Sequence, residues 1–220
     1  MRFAKIAVVG LALGLSGCGY NRIQELDEQA EQSKSNIGVE LTARNQLIPN
    51  LVATVKGAAN FERGTYTDVA RARAGQLPAA EQALTQAQQQ TRAAVESKDV
   101  NQLQQAEATQ TRAIGTYLNI AVEAYPNLKA TQNFTALQDQ LAESENRIAV
   151  ARRDYNESVR NYNTYIRQFP QAVTAKVTGA QRKTPYQAPA GSEEAPRVDL
   201  GGDAPAAPAA PAPTRGTPAP

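Results

Sequence analysis

Six large apolar residues, Phe134, Leu141, Ile148, Tyr155, Tyr162 and Phe169, recur at intervals of seven without a miss. Seven residues are two helical turns, so the six lie on one stripe of a helix predicted over about residues 132–169. At 1.5 Å per residue that helix is roughly 55 Å long. The companion positions Leu137, Ser144, Ala151, Ser158 and Tyr165 are mostly small, which lets a neighbouring helix approach closely. A single stripe on so long a helix is buried only by partners of similar length. The predicted fold is therefore all-α, an elongated antiparallel up-and-down bundle.

The rest of the chain supplies those partners. Ile23, Leu26, Ala30, Ser33, Ile37 and Leu41 step by three and four, and the seam continues through Ile48, Leu51, Val55 and Ala58. Arg44 stands in this seam between Leu41 and Ile48. An arginine there either snorkels outward with its stem on the core or meets a buried acid that helps set register, and its flexible stem favours snorkelling. Pro49 removes the hydrogen bond to the Asn45 carbonyl, so a kink or a restart is expected, with Asn45 and Asn50 placed to satisfy freed backbone groups. Beyond Glu62 the helix is expected to run past Gly64 to Ala74 and end near Gly75, and Pro78 suits the first turn of the next one. Residues 79–96 are rich in Ala and Gln, and Leu103, Ile114, Tyr117, Leu118 and Ala121 resume the period. Ser97-Lys98-Asp99 between them leaves three or four long helices equally compatible with the pattern, with Asp99 a possible cap. Tyr125-Pro126 ends the segment, and Pro170 ends the last helix.

The two ends differ from this middle. Arg2 and Lys5 precede the apolar run Ile6 to Leu15, and Leu15-Ser16-Gly17-Cys18 follows with the chain's single cysteine. A branched apolar residue three before a cysteine, two small residues and the thiol form a bacterial lipoprotein signal. Its ten apolar residues are about half of the roughly 20 needed to span a bilayer. Residues 1–17 are predicted to be removed. Cys18 then carries diacylglycerol and an N-acyl chain of the palmitate class, and several acyl chains anchor stably at about 0.8 kcal/mol per buried methylene. At the other end, nine of the thirteen prolines fall in residues 185–220, among Ala and Gly with almost no large apolar residue. Such a segment buries too little to offset ordering, so residues 181–220 are expected to be a disordered Pro/Ala-rich tail behind a bundle of residues 18–180.

Composition removes whole classes of chemistry. There is no histidine, and lipidation would consume the only thiol, so the commonest general base, metal ligand and nucleophile are all missing. No Glu-x-x-His ligand set of a di-iron bundle can be built. Paired carboxylates remain, and Glu143 with Glu145, or Asp154 with Glu157, have spacings a glycoside hydrolase could use. On a charged helix such pairs are more often simply solvated. Without residues 1–17, which hold Arg2 and Lys5, the 23 basic residues become 21 against 21 acidic ones. A neutral chain without a basic stripe does not suggest nucleic acid. No cofactor, metal or small-molecule substrate is implied.

Three stretches carry a resemblance. The first is Leu41-Thr-Ala-Arg44-Asn-Gln-Leu47-Ile48-Pro49-Asn50-Leu51-Val52-Ala-Thr-Val55-Lys56-Gly57, followed by Glu62. The second is Tyr125-Pro126-Asn127-Leu128-Lys129-Ala130 with Asn133-Phe134. The third is Glu145-Asn146-Arg147-Ile148-Ala149-Val150-Ala151-Arg152-Arg153-Asp154-Tyr155-Asn156-Glu157, with Val159-Arg160, Tyr162-Asn163 and Phe169-Pro170 after it. In this order, over about residues 20–170, they resemble the LemA family. Its members commonly close with an apolar Gly-Phe stretch, whereas Ala172 to Ala180 is more polar here.

The resemblance implies a membrane-attached helical bundle without catalytic residues. It also implies candidate partners, since family genes often accompany those for TPM-domain proteins or membrane zinc peptidases. The charged positions within the motifs, Arg44, Lys56, Glu62, Glu145, Arg147, Arg152, Arg153 and Asp154, are the candidate partner-binding face. Ion pairs within the bundle are their competing explanation. The expected function is a non-enzymatic envelope adaptor or scaffold. A passive spacer lipoprotein, or a carboxylate-based hydrolase of an envelope polymer, is the alternative. Gly19 is not the aspartate that retains lipoproteins at an inner membrane, so the expected place is the outer membrane facing the periplasm. In a single-membrane cell it is the external face of the plasma membrane.

Overall fold

A computed structural model describes the backbone of residues 2–61 and 68–187, and the side chains of residues 19–60 and 70–187. Six α-helices are described: α1 (Arg2–Phe61), α2 (Asp68–Ala74), α3 (Leu77–Ser97), α4 (Val100–Ala124), α5 (Gln132–Tyr165) and α6 (Gln171–Thr178). A 3₁₀ turn, Pro126–Ala130, joins α4 to α5, and no strand occurs among the described residues. The chain is all-α.

Three stacked apolar clusters give the direction of each helix. At one end Ile48, Leu51 and Val55 of α1 meet Ala80, Leu84 and Ala87 of α3, Ile114 to Ala124 of α4, and Phe134 to Leu141 of α5. In the middle Ala30, Ile37 and Leu41 meet Ala94, Leu103, Ala106, and Ile148 to Val159. At the other end Ile23 and Leu26 meet Tyr162, Ile166 and Ala175 of α6. Thus α3 and α5 run opposite to α1 and α4, which is the up-and-down bundle. Each fully buried Leu or Ile contributes about 1.5–3 kcal/mol to holding it.

The turn between α3 and α4 settles the helix count. Lys98 takes a left-handed conformation, φ 54°, and closes α3. Asp99 then caps α4, its side chain accepting from the Gln102 N–H at 2.9 Å. Four long helices result, α1, α3, α4 and α5. Pro78 sits in the first turn of α3, as its missing N–H requires. The segment expected to link Glu62 to Val69 falls largely on residues 62–67, outside the described residues.

Two local expectations are corrected. Of the kink or restart expected at Pro49, the restart does not occur: helix α1 continues to Phe61. The carbonyl that Pro49 leaves without a donor, that of Asn45, is bonded by Gln88 Nε2 at 3.1 Å, and Asn45 Nδ2 returns a bond to the Gln88 carbonyl at 3.1 Å. A side chain of α3 therefore replaces the lost helical bond, where Asn45 and Asn50 were expected to do so. Helix α5 ends at Tyr165, four residues short of the sixth stripe position. Phe134, Leu141, Ile148, Tyr155 and Tyr162 are buried, but Phe169 is 86 % exposed.

The tail boundary is corrected too. Gly179, at φ 74°, turns the chain out of α6, and residues 181–187 then lie along α5 as an extended strap. Asn163 and Asn156, one heptad apart, each grip a strap residue through both amide atoms. Asn163 binds the Lys183 N–H at 2.9 Å and its carbonyl at 2.8 Å, and Asn156 binds those of Tyr186 at 2.7 and 2.9 Å. Lys183 reaches Glu31 at 2.7 Å and Asp27 at 3.1 Å, 5.4 Å from the centre of the Tyr162 ring. A polar, proline-bearing segment is ordered here by backbone bonds, which composition does not register. The rest of the expected tail, residues 188–220, lies outside the described residues.

Candidate functional site: a buried charged layer and an exposed groove

The candidate charged residues divide by where their helix positions point. Arg44, Glu145 and Arg152 lie on inward stripes and are 2 %, 7 % and 9 % exposed, so they leave the candidate partner face. Arg44 does not snorkel. Its Nε donates to Gln110 Oε1 at 2.5 Å, its Nη1 to Glu145 Oε2 at 2.5 Å, and its Nη2 faces the Glu107 carbonyl at 3.4 Å. Arg152 Nη1 bonds Glu107 Oε1 at 2.9 Å, and its Nη2 lies 3.7 Å from Glu145 Oε1. Gln110 passes the network to Asn45 through a 2.8 Å bond. The Tyr186 hydroxyl caps it from the strap by donating to Glu107 Oε2.

Two arginines thus face two glutamates in the waist of the bundle. Burial pushes the Glu107 carboxyl above the usual carboxylate range, while Tyr186, Arg152 and Arg44 hold it down. Burial lowers the Arg44 guanidinium, against Glu145 and Glu107, but an arginine stays charged. Burial, then the Glu107 charge and bond, raise the Tyr186 hydroxyl, which keeps it a donor. Two arginines against two glutamates, with bonds converging from Gln110 and Tyr186, make a buried charged layer that joins α1, α4, α5 and the strap. The α1 snorkelling expectation failed because α4 supplies Glu107 and Gln110 at core positions, between Leu103 and Ile114. Those two intrusions in the α4 seam were a usable sequence signal. Tyr186 had none.

The remaining candidates are on the surface. Lys56 of α1 pairs with Glu81 of α3 at 2.7 Å. Arg147 of α5 pairs with Glu40 of α1 at 3.0 Å and with Glu143 at 2.6 Å. Arg153 and Asp154 are exposed, and Arg153 Nε faces the Ala149 carbonyl at 3.4 Å. Glu62 lies outside the described residues, and so does the side chain of Cys18. The catalytic pairings are not assembled: Glu143 is on the surface with Arg147 while Glu145 is inside with Arg44, and Asp154 and Glu157 both face solvent. Among the described residues no group of three or more acids or cysteines is placed to hold a metal.

Between α1 and α5 runs a shallow groove of about 380 Å³ lined by Asn36, Val39, Glu40, Glu143, Asn146, Arg147, Val150 and Asp154 among others. Val39 and Val150 are 61 % and 45 % exposed within it. Three acids and one arginine surround two exposed valines.

Helices α1 and α5, which carry the groove and part of the buried layer, hold the first and third motifs, the second forms the 3₁₀ turn before α5, and the LemA family model matches residues 33–200. The chain belongs to the LemA family. This LemA bundle is also similar to two curated proteins of Paramagnetospirillum magneticum, magnetosome proteins MamQ 1 and MamQ 2. Each is 28 % identical over 176 residues, covering 76 % of this chain and 64 % of theirs. Magnetosome protein MamQ of Magnetospirillum gryphiswaldense is 26 % identical over 171 residues, covering 74 % and 62 %. The chain spans less than two thirds of the length of these relatives. Among the described residues of this LemA protein, no helix is long and apolar enough to cross a membrane.

Proposed function

We propose that this LemA protein is a lipid-tethered, non-enzymatic adaptor of the bacterial envelope, anchored through Cys18 and docking a protein partner along the α1/α5 groove. The observation that carries the reading is the pair Val39 of α1 and Val150 of α5, exposed mid-bundle inside a ring of charge and off the buried stripes of their helices. Glu40, Glu143 and Asp154 outnumber Arg147, so the fitting occupant is a partner helix with a small apolar ridge and basic flanks. A TPM-domain protein or a membrane peptidase of the envelope is the candidate class. The outer membrane facing the periplasm is the proposed place, or the external plasma-membrane face in a one-membrane cell. The relatives' names assign them to the magnetosome and not to a reaction, which is compatible with a scaffold.

The test is crosslinking in intact cells from photo-reactive residues at positions 39 and 150, against a Cys18→Ala control. One partner captured from both positions, lost without the lipid and weakened by Val150→Glu or Asp154→Lys at unchanged helicity, is the expected result. Reversing Arg152 would damage the interior and is not informative about the face. Self-crosslinks alone, or equal capture from every face, would replace the adaptor with a passive spacer.

A further inference from the structure

Among the described residues, six large hydrophobic side chains are exposed, and four of them, Tyr20, Phe169, Val173 and Val177, belong to the end of the bundle next to Cys18. Helix α6 is why. Its Ala175 packs on Ile23, Leu26, Tyr162 and Ile166, which turns Val173 and Val177, one helical turn apart, to the outside at 58 % and 82 % exposure. Phe169 precedes them by the same step of four. The helix lies against α1 at Gly19: a Cβ there would sit 3.5 Å from Thr174 Oγ1 and 3.7 Å from Gln171 Cγ. Helix α6 therefore touches α1 one peptide bond from Cys18, the expected site of the lipid.

Charge points to the same partner. From Ser158 to Ser192 the chain holds five basic residues, Arg160, Arg167, Lys176, Arg182 and Lys183, and no acid. Lys183 is engaged by Asp27 and Glu31, which leaves Arg160, Arg167, Lys176 and Arg182 exposed on this stretch, while on α1 at the same end Glu25 is paired with Arg22 at 2.7 Å and Glu28 is exposed. Apolar residues that enter an acyl boundary, flanked by cations that meet anionic headgroups, are how an interfacial helix holds a bilayer.

We propose that Phe169 and α6 form a membrane-contacting foot: Phe169, Val173 and Val177 insert into the anionic lipid interface, and the bundle stands with its α3/α4 side and its α1/α5 groove away from the lipid. The inference rests on the tether at Cys18, and lipid-only vesicles separate the two. The chain has no tryptophan, so F169W, V177W and V39W each give a single reporter. Position 39 is twenty residues along α1 from position 19, about 30 Å at 1.5 Å per residue. The lipidated full chain is reconstituted in vesicles of phosphatidylcholine and phosphatidylglycerol carrying brominated acyl chains. Flotation with the vesicles reads the tether, and quenching reads the foot. The expected result is flotation of all three variants, about a twofold loss of emission at positions 169 and 177, and none at 39. In a V173D chain the quenching at 177 should fall. If the chains float but positions 169 and 177 stay unquenched, the foot is wrong and a protein covers that face. Equal quenching at all three positions also overturns it, since the bundle would then lie flat. Failure to float refutes the tether, and the foot that depends on it.

Discussion

The two halves of this bundle are built on opposite principles. Near Leu51, Leu84, Tyr117, Leu118 and Phe134 the four helices meet in a purely apolar layer. Toward the waist they meet through Arg44, Glu107, Gln110, Glu145 and Arg152. The apolar layer gains stability from every methylene it buries and is tolerant of how the helices slide. The charged layer gains little net stability, because desolvating four charges offsets most of their attraction. It does, however, allow one register, since a shift of one turn would strand an arginine. Apolar packing drives the assembly and the charged layer selects its alignment.

The largest effect expected separates the two principles. Arg44→Met alone leaves the buried Glu145 with only Arg152, 3.7 Å away, and should cost about 3–5 kcal/mol in urea unfolding. Adding Glu145→Leu should recover most of that loss, and a double variant as unstable as the single would show that the layer is a net source of stability. Leu118→Ala in the apolar layer should cost about 2–5 kcal/mol, and no second substitution of this kind should rescue it.

The next effect lies between the layers. Gln88→Ala leaves the Asn45 carbonyl without the bond that Pro49 makes necessary, at an expected cost of about 1–3 kcal/mol. In a Pro49→Ala background the helix can supply that bond itself, so the same substitution should cost measurably less. Asp99→Ala, at the exposed α4 cap, should lose about 1 kcal/mol by thermal melting. If it instead changed the layer couplings, the two-helix reading of α3 and α4 would be in error.

The smallest effect belongs to the strap, and pH reads it. Burial pushes Glu31 up, but bonds from Lys183 and Lys34 outweigh it, so its folded pKa is below its unfolded value. Its contribution is present above the unfolded value and is lost as pH falls through the folded one. Burial works against the Lys183 ammonium, but bonds to Glu31 and Asp27 prevail and raise it. Its contribution is complete below the unfolded value and is lost as pH rises through the folded one. The Lys183 and Tyr186 amides are both held by asparagine side chains, and their protection relative to their intrinsic exchange rates should fall at those two extremes before bundle helicity changes. Uniform loss of strap and helices together would make the strap part of the core.

Much of this was written in the spacing of residues. The α1 seam from Ile23 to Val55 and the α5 stripe from Phe134 to Tyr162 are buried where a period of 3.5 to 3.6 puts them, because a helix fixes which side chains share a face whatever its neighbours are. The three motifs carried the LemA family. What periodicity cannot state is which stripe meets which. Arg44 reads as a misfit in α1, and Glu107 and Gln110 as misfits in α4, until the bundle places them within bonding distance. Pro49 reads as a break until α3 offers Gln88. Residues 181–187 read as tail because their binding uses backbone atoms, which every residue has. The sequence by itself determined the helical stripes, their buried faces and the family, and left open the split of α3 from α4 and the presence of α6. Only the tertiary structure decided the partners of the buried charges, the repair at Pro49 and the ordered strap, because each depends on atoms from segments tens of residues apart and contact energies fall away within a few ångströms.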